Sequence, residues 1–150
     1  MTSLNKIKWI LLVTSSIWIA GLLTVLYIAY DGYIFPVTSQ VEITSIQEYD
    51  EQGGWSTVAG RFTKFRGECR FAGIEWWFGN LDLSRNSSVL VESYFDDGPI
   101  IRATEGVEEF TLLRVRIRPE LIRDGSYAYV LHRCPGQFWV TRTLFYQPSS

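Results

Sequence analysis

At 150 residues, with 14 basic and 16 acidic side chains, the chain is long enough for one folded domain and too short for two. Its 15% aromatic content, from six Trp, eight Tyr and nine Phe, is foreign to disordered tails. A net charge of −2 provides no footprint for a polyanion, so no nucleic-acid partner is expected.

Residues 1–8 form a short leader containing Lys6 and Lys8. Trp9 to Tyr30 follows as WILLVTSSIWIAGLLTVLYIAY, without a charged side chain. As a helix rising ~1.5 Å per residue it would extend about 33 Å, enough to cross a hydrocarbon core of ~30 Å. Segment 9–30 therefore reads as a transmembrane helix, with the lipid bilayer as its first partner. A cleaved signal has an apolar core of about 7–15 residues closed by an A-x-A pattern. This run is longer, and Trp18 and Tyr27 stand two positions before Ala20 and Ala29, so a retained anchor is expected.

The flanking charges orient the span. Lys6 and Lys8 precede it, and the first basic residue beyond it is Arg61, after Asp31, Glu42, Glu48, Asp50 and Glu51. The positive-inside tendency then makes the N-terminus cytoplasmic and the remainder extracytoplasmic, periplasmic in a bacterium. Trp9 at one end, and Tyr27, Tyr30 and Tyr33 at the other, suit the headgroup layers. Ser16, Ala20 and Gly21 are small enough to let two such helices approach, which offers a route to a homo-oligomer.

Residues 31–40, DGYIFPVTSQ, read as a connector. Pro36 lacks an N–H and pushes Phe35 toward extended geometry, so the helix should stop before it. The shortness of the connector holds the domain, 41–147, close to the bilayer. From Val41 the periodicity becomes two, with a first strand to Ile46 and an acidic turn from Gln47 to Gly54. Trp55–Phe65 is a second strand with Val58, Gly60, Phe62 and Lys64 on one face. Phe71–Phe78 is a third, placing Trp76 and Trp77 on opposite faces. A polar loop from Gly79 to Ser88 leads to Val89–Phe95, ended by Asp96-Asp97-Gly98-Pro99.

Ile100–Ala103 reads as a short edge strand. Phe110–Ile117 alternates, with Thr111, Leu113, Val115 and Ile117 facing opposite to Leu112, Arg114 and Arg116. Pro119 and Asp124-Gly125 bracket a connection. Ser126–Cys134 and Phe138–Tyr146 are the last strands, joined by a tight Pro135-Gly136 turn. The class is mainly β: a transmembrane helix followed by an antiparallel β-sandwich of seven or eight strands, without a soluble helix.

Cys69 and Cys134 both lie in the domain. An even count on the oxidising side of a membrane favours a disulfide, closing a loop of about 65 residues worth ~4 kcal/mol of chain entropy. Buried thiols or metal ligands are the alternatives.

Cys69 and Cys134, with Trp76 or Trp77 between them, resemble the cysteine–tryptophan pattern of immunoglobulin-like sandwiches. Pro119-Glu-Leu-Ile-Arg-Asp-Gly-Ser-Tyr127-Ala-Tyr129 resembles the corner at which a tyrosine hydroxyl ties back to the backbone. Tyr129 lies five residues before Cys134, where antibody-type domains have two, so the resemblance implies a related architecture. His132-Arg133-Cys134 and the stretch from Phe138 to Thr143 also resemble uncharacterised single-span envelope proteins of bacteria and phages. That resemblance covers the last third of the chain and implies no activity.

His132 is the single histidine, and on a strand it shares a face with Cys134. A Cys69/His132/Cys134 metal site, or a hydrolase using His132 with Ser126 or Ser93, is the reactive reading. Neither a CxxC or HxxxH spacing nor a GxSxG elbow supports it. Glu75 and Glu92 are the acids available for paired-carboxylate chemistry, a pairing any β domain offers. Asn86-Ser87-Ser88 fits a glycosylation triplet, and Asp96-Asp97-Gly98 is a turn before it is a calcium site. No enzyme, metal or cofactor is expected.

Trp77 and the alternating Arg114, Arg116 and Arg118 are the candidate interaction surface. An outward aromatic suits a protein contact, and an arginine ladder suits an acidic one. The bland reading pairs those arginines with strand neighbours such as Glu92. The expected function is a binding or accessory subunit of a membrane or envelope complex. The alternatives are a tethered enzyme or metal-binding domain centred on His132, and a phage-encoded envelope protein that excludes competing infection.

Overall fold

The computed structural model describes residues 3–50, 54–79, 86–93 and 105–148, with backbone alone at 3–5, 49, 50 and 93. The chain divides into two units, Met1–Asp31 and Gly32–Ser150.

Helix α1 runs Ser3–Ile34, longer at both ends than the span read from charge-free residues. Its Lys6–Ile34 stretch, whose most apolar 18 residues have a mean hydropathy of 2.1, is long and apolar enough to cross a membrane. It ends two residues before Pro36, as the proline's steric demand requires. Its hydroxyls bond inside the helix: Thr14 Oγ1 donates to the Ile10 carbonyl at 2.9 Å, Ser16 Oγ to Leu12 at 2.8 Å and Thr24 Oγ1 to Ala20 at 2.9 Å. Bonded in this way, they escape the cost of unpaired polar groups in an apolar medium.

The second unit is built mainly of strands: β1 (Glu42–Asp50), β2 (Trp55–Lys64), β3 (Arg70–Phe78), β4 (Ser87–Val89), β5 (Val91–Ser93), β6 (Gly106–Val115), β7 (Ser126–Arg133) and β8 (Thr141–Tyr146), with helix α2 (Pro119–Gly125) before β7. They form two four-stranded antiparallel sheets, ordered β1-β2-β6-β5 and β4-β3-β7-β8. One core lies between them. Val58, Leu113 and Val115 come from the first sheet, and Trp76, Ala128, Val130 and Phe145 from the second. The Phe62 and Phe145 rings meet edge-on across the layer at 5.3 Å.

The buried positions of β2 follow the alternation read from sequence, through Ser56, Val58, Gly60 and Lys64. Strand β6 departs from it. Leu113, Val115 and Ile117 are buried as expected, but Thr111 is exposed and Phe110 is buried. The register explains this, because Val58 pairs with Leu113 and Gly60 with Phe110, so Thr111 and Leu112 together oppose Ala59. One extra residue in the ladder is a β-bulge, and it reverses the facing of everything beyond it.

The strand expected at Val89–Phe95 is two short ones. Ser87–Val89 pairs with β3 and Val91–Ser93 with β6, so the chain crosses between sheets at Leu90. The connection after β6 holds a helix where the sequence reading had none. Pro119 starts it with a pre-set φ, and Ile122 inserts fully into the core. Its Ile122 carbonyl accepts from Ser126 Oγ and from the Tyr146 hydroxyl, each at 3.0 Å, while the Trp76 indole donates to Ser126 Oγ at 2.9 Å. A tyrosine hydroxyl does tie to this corner, and it comes from Tyr146 rather than Tyr127 or Tyr129. The β7–β8 connection is longer than a tight turn: Pro135-Gly136 turns the chain, but β8 begins only at Thr141. The expected edge strand Ile100–Ala103 and the turn Asp96-Asp97-Gly98-Pro99 lie outside the described residues.

Residues read as connector are stitched to the sheets. The Ser39 amide donates to the Thr63 carbonyl at 2.8 Å, and the Phe65 amide to the Val37 carbonyl at 2.8 Å. Val37 is fully buried against Cys69 and Cys134, which form a disulfide. The bridge ties the residue before β3 to the residue after β7, neighbours in one sheet. An antibody-type bridge instead joins two sheets and carries the tryptophan. Here Trp76 sits toward the other end of β3, 5.3 Å from the Tyr146 ring.

Gly60 is where the backbones come closest. A Cβ there would meet Val41 Cγ2 at 2.8 Å, the Glu42 carbonyl oxygen at 2.9 Å and the Phe110 ring at 3.1 Å. Overpacking of this kind costs about 1–3 kcal/mol. Gly60→Ala should therefore lower the denaturation midpoint of the purified full-length chain, while Gly54→Ala, which meets no neighbour but has φ of 64°, should cost only backbone strain.

Candidate functional site

The outward face of the second sheet assembles an aromatic row. Because Trp76 points into the core, Trp77 points away from it, and pairs across the ladder with Tyr127. Glu75 likewise opposes Tyr129. The Tyr127 and Tyr129 rings meet edge-on at 5.8 Å. Arg142, from β8, lies with its guanidinium 3.7 Å from the centre of the Tyr129 ring and 3.1 Å from Glu75 Oε2. The Arg142–Glu75 pair is half exposed, so it fixes orientation more than it adds stability. Burial pushes the Tyr127 hydroxyl above its usual pKa, so it remains a neutral donor at physiological pH. The Trp77 indole N–H is buried with no acceptor. Flat rings carrying a held cation are the composition that protein interfaces favour at their centres.

The sequence set Trp76 and Trp77 on opposite faces without deciding which faces the core, and it carried no sign of Trp77's companions. Tyr127 and Tyr129 share a face by period two, but only the β3–β7 register brings them beside Trp77.

The arginines do not join this row. Arg114 lies in β6 of the first sheet, on the face opposite Leu113 and Val115, directly across from Glu92 in β5. Trp77 and Arg114 therefore look outward from opposite layers. Arg116 and Arg118 lie past the end of β6, and Arg118 takes the cap position of α2. The ladder ends after one rung, with Glu92 opposite it.

His132 lies on the inward face of β7, 3% exposed, edge-on to Phe71 with ring centres 6.2 Å apart. It lines a cavity of about 40 Å³ between the sheets, walled by Phe62, Phe71, Phe110, Leu113 and Phe145, with Lys64 and Glu108 also at its edge. Such a volume holds a few water-sized spheres, each needing roughly 10–15 Å³. Burial, with smaller contributions from the Lys64 and Arg66 charges, lowers the His132 pKa to about 4. Burial also lowers that of Lys64, against the pull of Glu108 and Glu68. A neutral imidazole with so low a pKa is a weak base at pH 7. The disulfide takes both thiolates out of the Cys69/His132/Cys134 ligand set.

The remaining reactive candidates are dispersed. Ser126 Oγ donates to the Ile122 carbonyl deep in the core, and Glu75 and Glu92 belong to different sheets. Ser93 is described by backbone alone. Among the described residues no group of three His, Cys, Asp or Glu side chains could hold a metal. The sequence matches no protein-family model, and no curated protein or solved structure matches it.

The buried histidine makes stability depend on pH with a definite sign. The unfolded chain protonates it near 6.5 and the folded chain only near 4, so folding loses free energy as pH falls through this window and the loss levels off below 4. The full effect is about 3 kcal/mol. Thermal midpoints of wild type and His132→Phe, compared from pH 7 to pH 4, should diverge, with the wild type falling faster. Parallel profiles would show that His132 does not titrate this way.

Proposed function

We propose that the chain is a single-pass membrane protein whose N-terminus is cytoplasmic and whose extracytoplasmic, sandwich-like domain acts as a binding subunit of a membrane or envelope complex. The observation that carries the binding role is the outward row of half-buried Trp77 and Tyr129 with exposed Arg142, backed by Tyr127, which is itself only 7% exposed. Ordered rings on a rigid sheet lose little entropy when covered.

The anchor supports the same reading in a different way. The apolar helix, with Lys6 and Lys8 on one side and a disulfide on the other, fits a domain facing an oxidising compartment. Tethering confines the search for a partner to the membrane plane, so a modest interface gives useful occupancy. A second membrane or envelope protein is therefore the partner class.

Affinity capture of the full-length chain from detergent-solubilised membranes, followed by mass spectrometry, tests the proposal. A reproducible companion should be recovered with wild type. Tyr129→Ala and Trp77→Ala, each removing a ring from the sheet surface, should lower its recovery about tenfold, equivalent to ~1.4 kcal/mol. Substitution of Arg116, on the other sheet's side of the molecule, should leave recovery unchanged. Capture of a clean monomer, or equal recovery with all variants, would contradict the reading.

A further inference from the structure

Register alone gathers exposed apolar side chains at one end of the second unit. Thr38 bridges Lys64, the last residue of β2, and Lys64 in turn pairs with Gly106, the first residue of β6. The disulfide joins the start of β3 to the end of β7 beside Val37. This is therefore the end at which the chain arrives from the span. Two connections and a strand end meet there, and each presents an apolar residue to solvent: Phe65 after β2 at 48% exposure, Val107, the second residue of β6, at 71%, and Phe138 before β8 at 103%. Val140, two residues beyond Phe138, is 40% exposed.

We propose that this end of the domain is seated in the bilayer surface, with Phe65, Val107 and Phe138 inserted at the level of the lipid headgroups and upper acyl chains. The proposal rests on α1 spanning the membrane, and chain length supplies the argument. Only Phe35 and Pro36 separate Ile34, the last helical residue, from buried Val37, and three steps of extended chain reach about 10 Å. Gly32, already within the second unit, lies so close to the Arg142 backbone that a Cβ would overlap the carbonyl. Arg142 is four residues past Phe138, so Gly32 enters the second unit beside the strand that follows the exposed loop.

A bilayer suits this surface better than a protein groove does. A fully exposed phenylalanine on a loop between a disulfide and a strand gains by leaving water, and lipid demands no shape complementarity from three residues on separate elements. Aromatic rings also favour the interfacial layer, where Tyr33 and Phe35, 86% and 52% exposed, complete the rim. Charges of both signs border the patch, with Arg66 and Glu68 paired at 3.3 Å between β2 and β3. Seating should accordingly be driven by apolar contact and change little with the anionic lipid content of the membrane.

Nitroxide accessibility tests this on the full-length chain in liposomes. Phe138→Cys and Val107→Cys provide two labelling sites, one on the β7–β8 connection and one at the start of β6, while the native cysteines remain paired. Leu121→Cys, on α2 at the opposite end, serves as the water-exposed reference. Both near-end labels should collide with oxygen in preference to a water-soluble nickel chelate, by a ratio at least threefold above that at position 121. Equal ratios at all three positions, with the chain resistant to alkaline carbonate extraction, would overturn the seating while leaving the span intact. Release of the chain by carbonate would overturn the span and the seating together.

Discussion

The Cys69–Cys134 bridge with Val37 packed on it is the constraint from which the rest of the domain takes its geometry. It fixes the ends of β3 and β7 at one place, and these two strands then carry the core tryptophan, the aromatic row and the buried histidine along their length. Val37 ties the incoming chain to the same point, so the domain is clamped at the end where the chain enters it. The closed loop removes about 4 kcal/mol of unfolded-chain entropy, a large fraction of what holds a domain of this size together. At the far end a different device takes over. Ile122 of α2 fills the core, and its carbonyl gathers the Ser126 and Tyr146 hydroxyls beneath Trp76.

The division of labour between the two sheets follows from their edges and their bulge. The first sheet carries the extra residue at Thr111-Leu112, and its outward cation, Arg114, faces Glu92 across the ladder. In the second sheet the extra residues fall on β3, at Ala72, and on β8, at Phe145, so β7 itself keeps period two, with Tyr127 and Tyr129 on one face and Ala128, Val130 and His132 on the other. One strand thereby serves both an outward aromatic row and a core. The binding role proposed for the domain depends on that regularity, since one slip in register would bury the rings and expose the core.

Much of this was legible in the residues. The charge-free run from Trp9 to Tyr30, the period-two alternation of β2 and the opposed facing of Trp76 and Trp77 are local properties, and local properties can be read along a chain. What could not be read is set by contacts distant in sequence. The bulge in β6 exists because Gly60 faces Phe110, and no feature of β6 itself announces it. The crossing at Leu90 divides an apparently continuous strand because each half finds a different partner. Helix α2 is too short for its periodicity to be seen, and Pro119, read as a breaker, instead begins it. The arginine ladder failed for a related reason: alternation continues through Arg116 and Arg118, but the strand does not.

The oxidation state of Cys69 and Cys134 in the cell tests the account most directly, because the clamp requires the bridge and the proposed extracytoplasmic orientation predicts it. Membranes should be quenched in acid, denatured without reductant and treated with a thiol-reactive mass tag. The account predicts a chain carrying no tag before reduction and two after it. A chain tagged twice without reduction would place the domain on the reducing side of the membrane and remove the constraint on which the structure depends.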